Sequence, residues 1–243
     1  MKNITIISYQ VLFSKSKSST IIFAELLKKK GYNVRFLTLN ISFISYLRRD
    51  FRLKRIKELN LPLNKPFEYN GITSMIRFNF LHIFNFRNSF LNNLSTQFFK
   101  RISFKDKKII DFCNKSDAII FESSCNTIFP LLKKNINAQF IYKANDDLVF
   151  VKTHPYFSYL EKRDYMFYDF ISVVDPDMLE KFPNHNNTFV TPHGVSIPNI
   201  NFVNPFTTEK NLIFVGHTGL DNKVIKGISK LFPDVTIHLI GRV

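Results

Sequence analysis

Between residues 3 and 39 an apolar, β-branched run, a polar loop, a helix-patterned stretch and a second apolar run follow one another, and this order constrains the fold more than any other feature. Residues 3–9 alternate as a strand, Ser14 to Ser19 form a polar loop, and residues 20–30 carry amphipathic helical spacing that Gly31 stops. Residues 33–39 then read as the next strand. Two strands joined through a helix pair in parallel by a right-handed crossover. The pattern returns at residues 117–143, with a helix near 126–134, and at 170–191, around 177–182. These repeats predict an α/β fold, a doubly wound parallel sheet with helices on both faces.

Two stretches depart from the pattern. From 42 to 108 the alternation lapses, and long helical or irregular segments are expected. From 196 to 210, Pro198, Pro205 and several Asn and Thr mark a linker. A fresh strand–helix–strand follows at 211–243. One such unit cannot bury both of its faces, so it is expected to be poorly stable alone.

Charge separates the two halves. Residues 1–110 hold 21 Lys/Arg against 5 Asp/Glu, whereas 111–243 hold 13 against 14. A basic half of this kind suits a polyanionic partner or a solvated basic face. No helix-turn-helix, RNA-recognition or zinc-finger signature accompanies the charge, so nucleic acid is not the expected partner. Cys113 and Cys125 have neither disulfide-framework nor zinc spacing, which fits a reducing cytoplasm and predicts no metal site. No apolar stretch reaches the about 18 residues of a membrane span, so membrane contact would be peripheral.

Four stretches could carry chemistry. In "YKANDDL", Asp146 and Asp147 fall where a parallel strand ends, the position at which open α/β sheets hold ligands. Adjacent carboxylates push one pKa upward, as a general base requires, but an Asp after a strand also commonly caps the next helix. In "SYLRRDFRLKRIKEL", Ile44, Leu47, Phe51 and Ile56 lie along one side if the segment is helical. Arg48, Arg49, Arg52, Lys54 and Arg55 surround them, as on an interfacial helix seated on anionic lipid or on a core-packed one. Ser16, Lys17 and Ser18 lie in a loop that faces the Asp146 cleft if the fold is right, where they hold an acceptor or simply meet solvent. "FVGHTGLD" sets Gly216, His217 and Thr218 between strand and helix, where backbone N–H groups can meet a diphosphate, although two glycines at this spacing are a weak signal. "TPHGVSIPN" reads as a turn.

Together with "SKSKSST", "MIRFNFLHIFNFRNS", "IIFESS" and "FISVVDPDMLEKF", these stretches resemble, in order and spacing, the GT-B glycosyltransferases of the GumK glucuronosyltransferase type. The resemblance implies two Rossmann-type domains. Residues 1–195 would bind the acceptor, 196–210 would link, and 211–243 would begin the nucleotide-sugar-binding domain, a second Rossmann unit left incomplete. It further implies inverting, metal-independent transfer from a nucleotide sugar to a lipid-linked or saccharide acceptor. The donor would be a substrate, with no cofactor. Asp146 is the first choice for the base and Asp147 the second, and Gly216, His217 and Thr218 would make the first donor contact. The enzyme would sit in the cytoplasm, peripheral to the inner face of the membrane. A truncated chain is expected, inactive alone, with a basic non-catalytic binding module or split subunit that engages anionic membrane or nucleic acid as the alternative.

Overall fold

The computed structural model describes residues 2–14, 17–101, 105–194, 210–215 and 221–240, and the chain divides into two compact units, Met1–Gly194 and Val195–Val243. In the first unit the strands are β1 (Asn3–Ser8), β2 (Asn33–Ser42), β3 (Pro66–Tyr69), β4 (Ile72–Asn79), β5 (Ala118–Glu122), β6 (Gln139–Ala144), β7 (Phe170–Val173) and β8 (Thr188–Val190). They form one sheet in the order β3-β4-β2-β1-β5-β6-β7-β8, parallel throughout except for edge strand β3. The architecture is therefore α/β, with the chain winding outward in both directions from β1.

Central strands are buried on both faces because helices cover both. Neighbouring residues Ile6 and Ile7 are both fully buried, as are Phe36 and Leu37, and each pair divides between two cores. The smaller core receives α1 (Ser19–Lys29) through Ile21 and Ala24. Ser18 caps this helix by accepting from the Ile21 N–H at 3.4 Å, and Gly31, at φ +86°, takes the left-handed exit that ends it. The larger core is aromatic. Phe121, Phe129, Phe140, Tyr142 and Tyr168 interlock, with Phe129 and Tyr168 stacked at 4.0 Å between centroids.

The stretch from 42 to 108 contains strand as well as helix. β3 and β4 form a hairpin whose turn, Asn70-Gly71, has positive φ at both residues, as a tight two-residue hairpin requires. The basic segment is broken. α2 (Phe43–Leu47) is followed by a turn and then by α3 (Phe51–Glu58), so the expected single apolar side does not form. Ile56 is buried while Leu47 and Phe51 are exposed. Beyond it, α4 (Ser89–Arg101) packs Phe99 against α7 (Pro155–Asp164), and α5 (Lys107–Cys113) and α6 (Phe129–Asn135) cover the larger core. The helix expected around 177–182 is a 3-10 turn, Pro176–Lys181.

The second unit consists of β9 (Asn211–Val215), α8 (Asn222–Leu231) and β10 (Thr236–Ile240), with the two strands parallel. Val215, Leu231 and Ile240 are exposed.

Candidate active site

Because β1, β5 and β6 are parallel neighbours, their carboxyl ends bring Ser8, Glu122 and Asn145 to one edge of the sheet. Glu122 is almost fully buried there and accepts hydrogen bonds from three directions: the Ser8 hydroxyl at the end of β1, the Thr20 hydroxyl at the start of α1 (2.5 Å) and the Asn145 amide after β6 (3.1 Å). Burial pushes its carboxyl above the ordinary range, and the three donors only partly offset that. The same burial, with the Glu122 charge second, raises the Tyr9 phenol to about 12. It also draws the Lys143 ammonium down, against the attraction of Glu122 and Asp146.

This network fixes the backbone that carries the expected base. Ser123 Oγ accepts from the Asn145 N–H at 2.9 Å and, more weakly, from the Asp146 N–H at 3.4 Å, while Lys143 Nζ donates to Asn145 Oδ1 at 2.6 Å. Asp146 itself is half-buried, and no hydrogen bond or ion pair engages its carboxylate among the described residues. Asp147 is already occupied. It accepts from the Val149 and Phe150 N–H groups at 2.8 and 3.1 Å and pairs with Lys181 at 2.8 Å. The Lys181 bond, opposed by burial and aided by those two N–H groups, holds its carboxyl below the ordinary value. The raised carboxyl at this edge is thus Glu122, which the motif reading passed over. Its only sequence signal was an acidic residue closing the apolar run "AIIFE".

The remaining expected site residues separate by environment. Lys17 pairs with Glu25 at 2.7 Å and Ser18 caps α1, while Thr20, two residues on, reaches the cleft; Ser16 lies outside the described residues. In the basic segment, Arg48, Arg49 and Lys54 are exposed, and Arg55 is partly tied to Glu58 at 3.2 Å. Arg52 is not a surface contact. Its side chain is only 12% exposed, and its guanidinium bonds Asp50 (2.6 Å), the Tyr9 carbonyl (2.6 Å) and the Asn40 carbonyl (3.0 Å). It braces the ends of β1 and β2 because a buried guanidinium needs that many acceptors. Gly216, His217 and Thr218 lie outside the described residues.

Residues 6–174 match the family of the glucuronosyltransferase GumK, N-terminal domain. The chain belongs to this family. It is also 29% identical over 212 residues to the UDP-glucuronate:glycolipid 2-beta-glucuronosyltransferase of Xanthomonas campestris pv. campestris, an alignment that covers 85% of this chain and 52% of that protein. The chain thus spans about half the length of the curated relative it matches. Among solved structures, one described as trehalose-6-phosphate from E. coli bound with UDP-2-fluoro glucose aligns with a TM-score of 0.54. The identity is 10%, over 98% of this chain and 64% of that one. That likeness is one of fold, and the fold is GT-B-like.

Proposed function

We propose that this GumK-type chain supplies the acceptor half of an inverting glycosyltransferase. That enzyme moves a sugar from a nucleotide-sugar donor to a lipid-linked or polysaccharide acceptor at the inner face of the cell membrane. The observation that carries the reading is the Asp146 carboxylate, held at the carboxyl edge of the central strands by a fixed backbone and with no hydrogen bond or ion pair to it among the described residues. Asp146 takes the proton of the acceptor hydroxyl as its oxygen attacks the anomeric carbon. The bond from that carbon to the nucleoside diphosphate breaks on the opposite face, the electron pair leaves with the diphosphate, and the configuration inverts.

The Xanthomonas relative is described by its UDP-glucuronate donor and glycolipid acceptor, which makes these the first substrates to try. Residues 211–243, after a linker at 196–210, would open the nucleotide-sugar-binding domain, with Gly216, His217 and Thr218 at the diphosphate. Peripheral membrane seating has two supports: the charge of Arg48, Arg49 and Lys54, and the α4 face on which Phe90, Leu94 and Phe98 are exposed. Among the described residues no helix is long and apolar enough to cross a membrane.

The test is transfer of labelled glucuronate to glycolipid by protein expressed from the complete gene. Asp146→Asn should lower kcat by about 100-fold or more, the usual contribution of a general base, and leave the circular-dichroism spectrum unchanged. Asp147→Asn should act mainly on stability. Full transfer by Asp146→Asn would remove Asp146 from the mechanism.

A further inference from the structure

Beside Tyr9, on the β2 side of the Glu122 network, a concavity of about 580 Å³ opens at the carboxyl ends of β1 and β2. Its lining includes Gln10, Arg48, Arg49, Phe51, Arg52 and His82. The wall is braced, because Arg52 bonds the Tyr9 and Asn40 carbonyls and spends its charge on Asp50. Arg48 and Arg49 occupy the turn after α2, and no carboxylate pairs with either among the described residues. The Arg48 guanidinium lies over the Phe84 ring, 5.7 Å from its centroid, which orients the charge without neutralising it.

His82 adds a neutral ring to the lining. Ser42 Oγ accepts from the Ile44 N–H at 3.1 Å and lies 2.6 Å from His82 Nδ1, an arrangement that lets it donate there and leaves the imidazole proton on Nε2. Burial, then the charge of Arg52, keeps this ring neutral down to about pH 4. Of the lining residues Phe51 is 67% exposed, and Phe80, two residues before His82 in the chain, is 84% exposed and stacks on Phe43 at 6.2 Å.

Two guanidinium forks without carboxylate partners match the oxygens of a phosphate or diphosphate. An exposed phenylalanine in the lining, with Phe80 exposed close to His82 in the chain, is wasted on a water-soluble anion but suits a hydrocarbon chain. We propose that this pocket binds the phosphate or diphosphate head of the lipid carrying the acceptor, with Arg48 and Arg49 on the head and Phe51 and Phe80 along the chain. The assignment rests on the lipid-linked reading of the acceptor, yet it can be measured by binding alone, without transfer.

The experiment compares vesicles of phosphatidylcholine doped with a polyisoprenyl diphosphate against vesicles brought to the same surface charge with phosphatidylglycerol, with inorganic pyrophosphate as competitor. The protein should prefer the diphosphate lipid and be displaced by pyrophosphate. Arg48→Gln and Arg49→Gln should each weaken binding about tenfold, the value of one charge-assisted contact, while Lys57→Gln, equal in charge lost, should change it less than about twofold. Phe51→Ser should weaken vesicle binding and leave pyrophosphate binding intact. Equal losses for Lys57→Gln and Arg48→Gln would reduce the pocket to diffuse surface charge, and arginine-dependent pyrophosphate binding with no preference for the diphosphate lipid would make the ligand a soluble phosphate; either result overturns the proposal. Asp146→Asn should bind like the parent protein, so failure of the base assignment and failure of the pocket are separately visible.

Discussion

Arg52→Met keeps most of the apolar stem of Arg52 and removes its guanidinium, leaving the Asp50 carboxylate and the carbonyls of Tyr9 and Asn40 short of a donor. The pair is largely inside the protein, with side-chain exposures of 12% for Arg52 and 17% for Asp50. Breaking one side of a buried pair costs about 3–5 kcal/mol, and the partial access of water to Asp50 places this case near the lower end, about 3 kcal/mol. For a unit of this size that corresponds to roughly 6–12 °C in Tm. The chain has no Trp, so the loss is best followed by circular dichroism in urea. Arg48→Met, on an exposed side chain, should shift the midpoint by less than about 0.5 kcal/mol. Asp50→Asn added to Arg52→Met should recover part of the loss, because the stranded charge is then gone. A loss below about 1 kcal/mol for Arg52→Met, or no recovery in the double variant, would refute the bracing role and return Arg52 to the surface group.

Glu122 and Glu161 both have carboxyls raised by burial, so the folded state holds their protons to higher pH than the unfolded chain. Their contribution to stability is complete below about pH 4.5 and is lost as pH rises through the folded values. Urea midpoints of Glu122→Gln should therefore show a shallower fall above pH 4.5 than the parent, with Glu161 supplying the remainder; identical slopes would show that Glu122 is not protonated in the fold. Burial pushes the Cys113 thiol up to about 12 and Cys125 higher than its ordinary value, so neither should react with a thiol reagent until urea unfolds the protein. Lys181→Met should let the Asp147 carboxyl return toward its ordinary value, read by its NMR titration, without the loss of transfer expected from Asp146→Asn.

The spacing of apolar runs was enough to predict the parallel α/β sheet, since strand–helix–strand order leaves a chain almost no other way to bury two-sided strands. The same spacing put Asp146 and Asp147 at a strand end. The β3–β4 hairpin was also legible, in Asn70-Gly71 between alternating residues, but the surrounding Phe, Arg and Lys hid it within a stretch that read as helical or irregular. What distinguishes the two aspartates is not local. Lys181 reaches Asp147 from 34 residues away, and Glu122 is held by Thr20, 102 residues distant, and by Ser8, 114 residues distant. Nor could the charge run reveal that Arg52 turns inward while Arg48 and Arg49 face a pocket. A sequence records where charges and apolar residues recur, whereas the partner, the burial and hence the proton affinity of each group depend on which distant strand ends the fold brings together.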